Sequence, residues 1–390
     1  MRILYLTTRL PYAPNRGDRI RSYYVLREMS RFAEVSVFSL VHDDEEARHA
    51  TDVPFATHVV TTRPRRLPNL LRAVTRLHTA TPLTHLLFAT SDARARLDAM
   101  VASQPPDLVV AHCSGVAHLA LEPPLAERRF VLDMVDVDSA KWTTLAREHA
   151  GPKRWIYRRE ARTLRAFEAL AARRAEVTLV VNDRERATML DVAPDARVEV
   201  VENGIDVDAF RPPDEPAPSS TVVFCGVMNY GPNEQAVRWF AHDVWPAVRA
   251  RVPNATFVVV GSHPTRAIRA LASVEHGIDV TGAVPKVQPH LWRSAVSVAP
   301  IFVAQGIQNK VLEALAAGLP VVATSNVAAG LPDAARAGCT VADDARSFAD
   351  GVVQWLSAAP AERRERAATA RVDELSWTSR LRRLESLLAR

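Results

Sequence analysis

The sequence predicts an α/β chain of two similar parallel-sheet domains with a cleft between them, and three observations carry that prediction. Strand-like apolar runs alternate with helical spacing through both halves, the pattern of a parallel sheet covered by helices. The alternation breaks at the proline-rich stretch from Pro212 to Ser220, the best domain boundary in the chain, and then restarts. In the second half the strands are followed by glycines, Gly226, Gly261, Gly282 and, a few residues on, Gly306, which let a flat ligand approach the backbone. The expected division is 1–200, a linker 201–220, a second domain 221–372, and a helix 373–390 packing back toward the first domain. With 390 residues and 48% hydrophobic content, large cores are available.

Composition narrows the class. Lys141, Lys153, Lys286 and Lys310 are the only lysines, so the basic excess is arginine. A bias of that kind records genome composition, and no nucleic-acid partner is expected. Cys113, Cys225 and Cys339 are far apart with no CxxC spacing, which argues against a disulfide framework or structural zinc and for a reducing compartment. The chain opens directly in a strand pattern, so no signal peptide is expected. No apolar run approaches the roughly 20 residues of a transmembrane helix. A cytoplasmic location follows, with a peripheral seat on the inner face of the cell membrane left open.

In the first half, strands are expected at Ile3–Thr7, Glu34–Leu40, Thr57–Thr61, Leu108–His112, Arg129–Asp133 and Val177–Val181. After the first, Pro11 and Pro14 forbid an early helix and Gly17 permits close backbone approach. A helix then runs from Asp18, its N-cap, to about Arg31, with Arg19 and Arg21 in the first turn. One glycine is not GxGxxG, so a nicotinamide fingerprint has weak support and an ordinary βα turn is the equal alternative. Arg63–Leu87 is basic and amphipathic: it suits an anionic membrane surface, or a surface helix that packs its leucines inward. His112 ends a strand, where an imidazole can meet a sugar hydroxyl or phosphate; a capped core histidine is the rival. Asp133, Asp136 and Asp138 cluster, and Asp206–Asp208 repeats the spacing, but no further ligand stands at metal spacing. Acceptor-hydroxyl binding or helix capping is preferred over metal. The long helix from Pro152 to Arg174 is structural, and Asn182–Asp183 caps the helix after it.

Asn203–Gly204 marks a turn before the boundary. Strands then fall at Thr221–Cys225, Thr256–Val260, Ile278–Thr281 and Val296–Phe302, with helices over 232–251, 264–273 and 286–294. The segment from Gln305 to Thr324, QGIQNKVLEALAAGLPVVAT, follows. Gly306 turns the chain, a helix spans Gln308 to Ala317, Gly318 supplies a left-handed C-cap, and a strand returns at Leu319–Ala323. Val311, Leu312 and Leu315 pack inward, while Lys310, Glu313 and Ala317 share another stripe. Helix N–H groups, a cation in the first turn and a carboxylate one turn later suit a nucleotide diphosphate. Lys310 neutralises phosphate charge and Glu313 accepts both hydroxyls of a ribose diol. An i, i+3 ion pair on a solvated face is the plainer alternative. Helix 360–372 and an amphipathic helix carrying Trp377, Leu381, Leu384 and Leu388 close the chain.

The pieces RGDRIRS, VVAHCSG, VVNDRERATML, VVENGIDVDAF, FCGVMNYGPN, VVVGS, DVTGAVPKVQPHLWRSA and GIQNKVLEALAAGLPVVAT, in that order, resemble retaining glycosyltransferases of the GT-B fold, family 4. The resemblance covers nearly the whole chain and looks most like sugar transferases of bacterial exopolysaccharide and exosortase-associated gene clusters. It implies two Rossmann-like domains, a nucleotide-sugar donor held mainly by the second, and a lipid-linked or oligosaccharide acceptor bound by the first. No cofactor or metal is implied. Glu313 matches the second glutamate of a Glu-x7-Glu motif that holds the ribose. Lys310 lies among the diphosphate contacts, with Gly226, Gly306, Ile307, Gln308 and Asn309 beside the donor and Val284 where the backbone meets the base. Gly17 matches a loop near the phosphates, and His112 a histidine that meets the donor sugar; His112 and Lys310 are the expected catalytic pair. Asp18, Arg19 and Asp136 are expected at the acceptor.

The chain departs from the family pattern twice. Gln305 stands where the first glutamate would, and Val227, Met228 and Asn229 follow Gly226 where an arginine is usual. The diphosphate charge is then expected on Lys310, the helix N–H groups, and Arg19 or Arg21. Two other readings keep the fold: a nucleotide-sugar epimerase or hydrolase, and a nucleotide-sugar-binding protein without catalysis.

Overall fold

In the computed structural model every strand is parallel, because each is joined to the next by a crossover with helix in it. The first sheet contains β1 (Arg2–Thr7), β2 (Glu34–Leu40), β3 (His58–Thr62), β4 (Leu108–His112), β5 (Arg129–Val135), β6 (Val177–Val180) and β7 (Val198–Val200). Their order is β3-β2-β1-β4-β5-β6-β7. The second contains β8 (Thr221–Cys225), β9 (Thr256–Val260), β10 (Ile278–Gly282), β11 (Val296–Ala299), β12 (Val321–Ala323) and β13 (Cys339–Val341), ordered β10-β9-β8-β11-β12-β13. The structure describes the chain apart from residues 15–16, 213–218, 304–306 and 390 and the side chain of Asp18. Gln305 and Gly306 therefore lie outside the described residues.

Both sheets reverse their strand order beside the first strand, between β1 and β4 and between β8 and β11. Ligands of open parallel sheets bind at the carboxyl ends of the strands flanking such a reversal. His112 ends β4, Gly226 follows β8, and the Lys310 helix follows β11, so three of the expected residues stand at a reversal of their own sheet.

The chain divides into two compact units, Met1–Glu202 with Leu381–Arg390, and Asn203–Arg380. The first buries Leu6, Phe38, Val109, Phe130 and Leu132 around its sheet, and the second Phe224, Phe240, Phe257, Leu315 and Phe348. Five helices matter below: α1 (Gly17–Met29), α2 (Arg66–Thr75), α3 (Gly151–Arg174), α4 (Gly231–Trp239) and α5 (Asn309–Ala316). Two predicted caps are in place, with Asn182 accepting from the Glu185 amide at 2.8 Å and Asp206 from Ala209 at 3.2 Å; the helix expected to start from an Asp18 N-cap instead begins at Gly17.

Several elements differ from expectation for identifiable reasons. The helix expected over 232–251 is two α-helical pieces joined by a π turn at Phe240–Val244, just before Pro246, which has no N–H to donate. The segment 63–87 holds two helices, α2 and Leu83–Phe88, the second starting after Pro82. The terminal helix is broken into Trp377–Leu381 and Leu384–Leu388. The leucines of α2 do not pack inward. Leu67, Leu70, Leu71 and Val74 are 53–76% exposed, whereas Asn69 and Ala73 are buried. Asn69 Nδ2 ties the helix down by donating to the Leu87 and Ala89 carbonyls at 2.8 and 2.7 Å.

Candidate active site

The second unit's site begins with a backbone that leaves no room for side chains. Gly226 donates its N–H to Val260 O, and Gly261 donates to Gly282 O, so the ends of β8, β9 and β10 are zipped together. At Gly261 (φ +154°) a Cβ would lie 1.7 Å from the Gly226 oxygen, a contact only glycine permits. A Cβ on Gly226 would sit 2.8 Å from Asn233 Nδ2 and 3.0 Å from Lys310 Nζ. The glycine therefore opens the place the ammonium occupies.

The helix α5 presents Lys310 to that place. Val311, Leu312, Ala314, Leu315 and Ala316 are buried in the core, which fixes its rotation; Ala317 is buried with them, not on an open stripe. Gly318, at φ +76°, closes the helix with hydrogen bonds from its own N–H to Leu315 O and from Leu319 N–H to Ala314 O, a complete Schellman motif. At the other end the N-cap residue, Gln308, makes no side-chain cap hydrogen bond. Lys310 Nζ donates to Asn233 Oδ1 at 2.6 Å and lies 4.4 Å from the centroid of the Phe224 ring.

Lys310 and Glu313 are half-buried, and their charged ends are poorly solvated. Burial pulls the Lys310 ammonium down to about 8, against the opposing pull of Cys225 and Glu313. Burial pushes the Glu313 carboxyl up to about 7, with Lys310 opposing. Among the described residues Glu313 accepts no hydrogen bond, and the buried Asn309 Oδ1 has none either. A cation held by one neutral acceptor and two oxygen acceptors with no hydrogen bond among the described residues thus lie along one helix. Ile307 and Gln308, which lead into the helix, are half-buried, as is Val284 beyond β10.

In the first unit the end of β4 carries a buried chain of charged and hydrogen-bonding side chains. Arg21 clamps Asp133, its Nε 3.0 Å from both carboxylate oxygens and its Nη2 2.8 Å from Oδ1, while Nη1 donates to Val201 O at 2.8 Å. Burial alone would raise Asp133, but Arg21 and then His112 hold it near 2. His112 Nδ1 lies 3.2 Å from the ionised Asp133 Oδ2, which orients the ring at the strand end. The backbone is strained beside it: Cys113 has φ +70°, and β-branched Val135 has φ +67° at a β-bulge.

The expected first-unit residues separate. Arg19 and Arg21 are not open for a diphosphate, because each is buried against a carboxylate; Arg19 Nη2 donates to Glu46 Oε1 at 2.9 Å and Nη1 to Tyr12 Oη at 2.9 Å. Gly17 is exposed at the start of α1. Asp136 is pushed up to about 6 by burial, then by Glu185 and Asp138. Asp138 accepts from Ser114 Oγ at 2.5 Å, and no cluster of described residues could hold a metal ion. Asn233 escaped sequence reasoning: it is uncharged, and its partner lies 77 residues away. Its one sequence signal was a polar residue three places into the helix that follows Gly226.

Residues 219–358 match the family model Glycosyl transferases group 1. A D-inositol 3-phosphate glycosyltransferase of Mycobacterium avium is 31% identical over 227 residues, 51% of this chain and 51% of that protein. The chain thus spans about half the length of the curated relatives it matches. Among solved structures, sucrose-phosphate synthase from Thermosynechococcus elongatus superposes with a TM-score of 0.70 at 15% identity, over 99% of this chain and 98% of that one. HepE of Anabaena in complex with UDP gives 0.68 at 13%, over the full length of both. The chain has the GT-B fold of these neighbours, and its residues 219–358 match the group 1 glycosyl transferases.

Proposed function

We propose that this protein is a retaining, metal-independent glycosyltransferase that moves a sugar from a nucleoside-diphosphate donor to a lipid-linked or oligosaccharide acceptor in bacterial exopolysaccharide or cell-surface glycan synthesis. The observation that carries the donor reading is the start of α5, where Lys310 stands beside Gly226 and the Glu313 carboxylate accepts no hydrogen bond among the described residues. The ribose diol donates to Glu313, and Lys310 with the helix N–H groups holds the diphosphate. As the bond from the sugar C1 to the β-phosphate oxygen breaks, those groups take up the charge of the leaving diphosphate. The acceptor hydroxyl forms the new bond to C1 and gives its proton to a leaving phosphate oxygen. Retention and the exopolysaccharide setting rest on the family resemblance. UDP and UDP-glucose in the HepE structures support a nucleotide-sugar donor and make UDP the first nucleotide to test.

For the acceptor side, α2 supports a seat on the inner face of an anionic membrane. Residues 63–87 contain five arginines and no Asp or Glu, and the exposed leucines lie among them. No described helix is long and apolar enough to cross a membrane.

The deciding experiment incubates the protein with UDP-sugars, with and without membrane lipid extract. Acceptor-dependent transfer supports the reading, and consumption of donor alone favours an epimerase or hydrolase. Glu313→Ala should raise the donor KM at least tenfold; an unaltered KM would refute the ribose role.

A further inference from the structure

We propose that Asn233 is the positioning residue of the donor site, holding the Lys310 ammonium in the place that Gly226 leaves open. The inference rests on the donor reading above and adds to it the device by which a site without the expected arginine aims its lysine. Asn233 is third in α4, almost wholly buried, and both ends of its amide are engaged. Nδ2 donates to Val227 O at 2.9 Å and Oδ1 accepts from Lys310 Nζ at 2.6 Å. The opposite amide orientation would set NH2 against an ammonium and oxygen against a carbonyl, so this one is enforced.

The Phe224 ring centroid lies 4.4 Å from the ammonium, and a Cβ on Gly226 would come within 3.0 Å of it, so the glycine keeps that approach free. The charged or titratable groups that bear on Lys310 are Cys225 at the end of β8 and Glu313 on its own helix. Neither carboxylate nor thiol is within salt-bridge distance of Nζ among the described residues, so the amide oxygen is its one hydrogen-bond acceptor there. A neutral acceptor aims the ammonium without neutralising it. A carboxylate at the same position would hold it more strongly but would cancel the charge the diphosphate needs.

With four lysines in the chain, Lys310 can be titrated directly by NMR in protein carrying lysine labelled with 13C at Cε, with Lys310→Arg assigning its resonance. Asn233→Ala should lower the Lys310 midpoint by about one pH unit and Asn233→Asp should raise it by as much or more, the other three lysines staying put. UDP affinity, measured by calorimetry from about pH 6 to pH 10, should fall about tenfold in both variants at pH 7.5, and its alkaline limb should follow the lysine midpoint. A Lys310 midpoint unmoved in both variants overturns the proposal even if both bind UDP weakly, because a merely structural asparagine predicts that result. If Asn233→Ala does not fold, the isosteric Asn233→Asp decides by the same titration. Failure of the native protein to bind UDP, GDP or ADP would sink the donor reading, while the lysine titration, which needs no nucleotide, still tests Asn233.

Discussion

Glu313 and Lys310 are kept in protonation states that a nucleotide must share, and that sets a pH window. The ribose diol needs the carboxylate, formed above about 7, and the diphosphate needs the ammonium, lost above about 8. The profile of kcat/KM against pH for donor should therefore be a narrow bell with limbs near those values. Stability runs the other way at Glu313. Its folded-state value lies above the ordinary carboxylate value, so the fold favours the protonated form; that stability is present below about 4.5 and is lost as pH rises through about 7. Glu313→Gln should accordingly stabilise the unliganded protein by about 1–2 kcal/mol at pH 8, and by nothing near pH 4.5, in urea melts at the two pH values. The lysine–glutamate pair was legible in the sequence because three residues apart on one helix means one face. The Arg21–Asp133–His112 grouping was not, since Arg21 and Asp133 are 112 positions apart and only the adjacency of β1, β4 and β5 brings them together.

At the scale of elements, strands were the easiest to read, because sheets covered on both faces need unbroken apolar runs. The orientation of a surface helix was harder. An apolar stripe says which residues share a face but not whether that face looks inward, and in α2 it is Asn69 and Ala73 that do. The exposed stripe with arginines around it makes a direct prediction. The protein should co-sediment with vesicles containing anionic phospholipid and much less with zwitterionic ones. Replacing Leu67, Leu70 and Leu71 by Ser should cost at least tenfold in vesicle affinity, with UDP binding retained. Equal sedimentation of native and triple variant would remove the membrane from the proposal.

On the scale of the molecule, the two-sheet plan was legible from the alternation, while the units divide between Glu202 and Asn203, ahead of the proline-rich stretch expected to mark the boundary. The sequence expected a terminal helix over 373–390 to pack back toward the first domain; in the structure the first unit is discontinuous, made of Met1–Glu202 with Leu381–Arg390. Leu384, Leu387 and Leu388 are buried, the helix Leu384–Leu388 packs against α1, Arg383 bonds Glu199, and Arg129 bonds the Leu388 carbonyl. A chain ending at 380 should lose several kcal/mol from the first unit, since each buried leucine contributes about 1.5–3 kcal/mol. Its calorimetric trace should show one transition displaced downward by roughly ten degrees or more and the other unmoved.

That discontinuity has a consequence for biosynthesis. A ribosome reading this message releases residues 1–202 first, yet the leucines that finish that unit's packing are not translated until the whole of 203–380 has followed. The earlier unit must wait, incomplete and with an apolar surface beside α1, while the later one is made. Chaperone dependence of the nascent chain should persist until residues beyond 380 clear the exit tunnel.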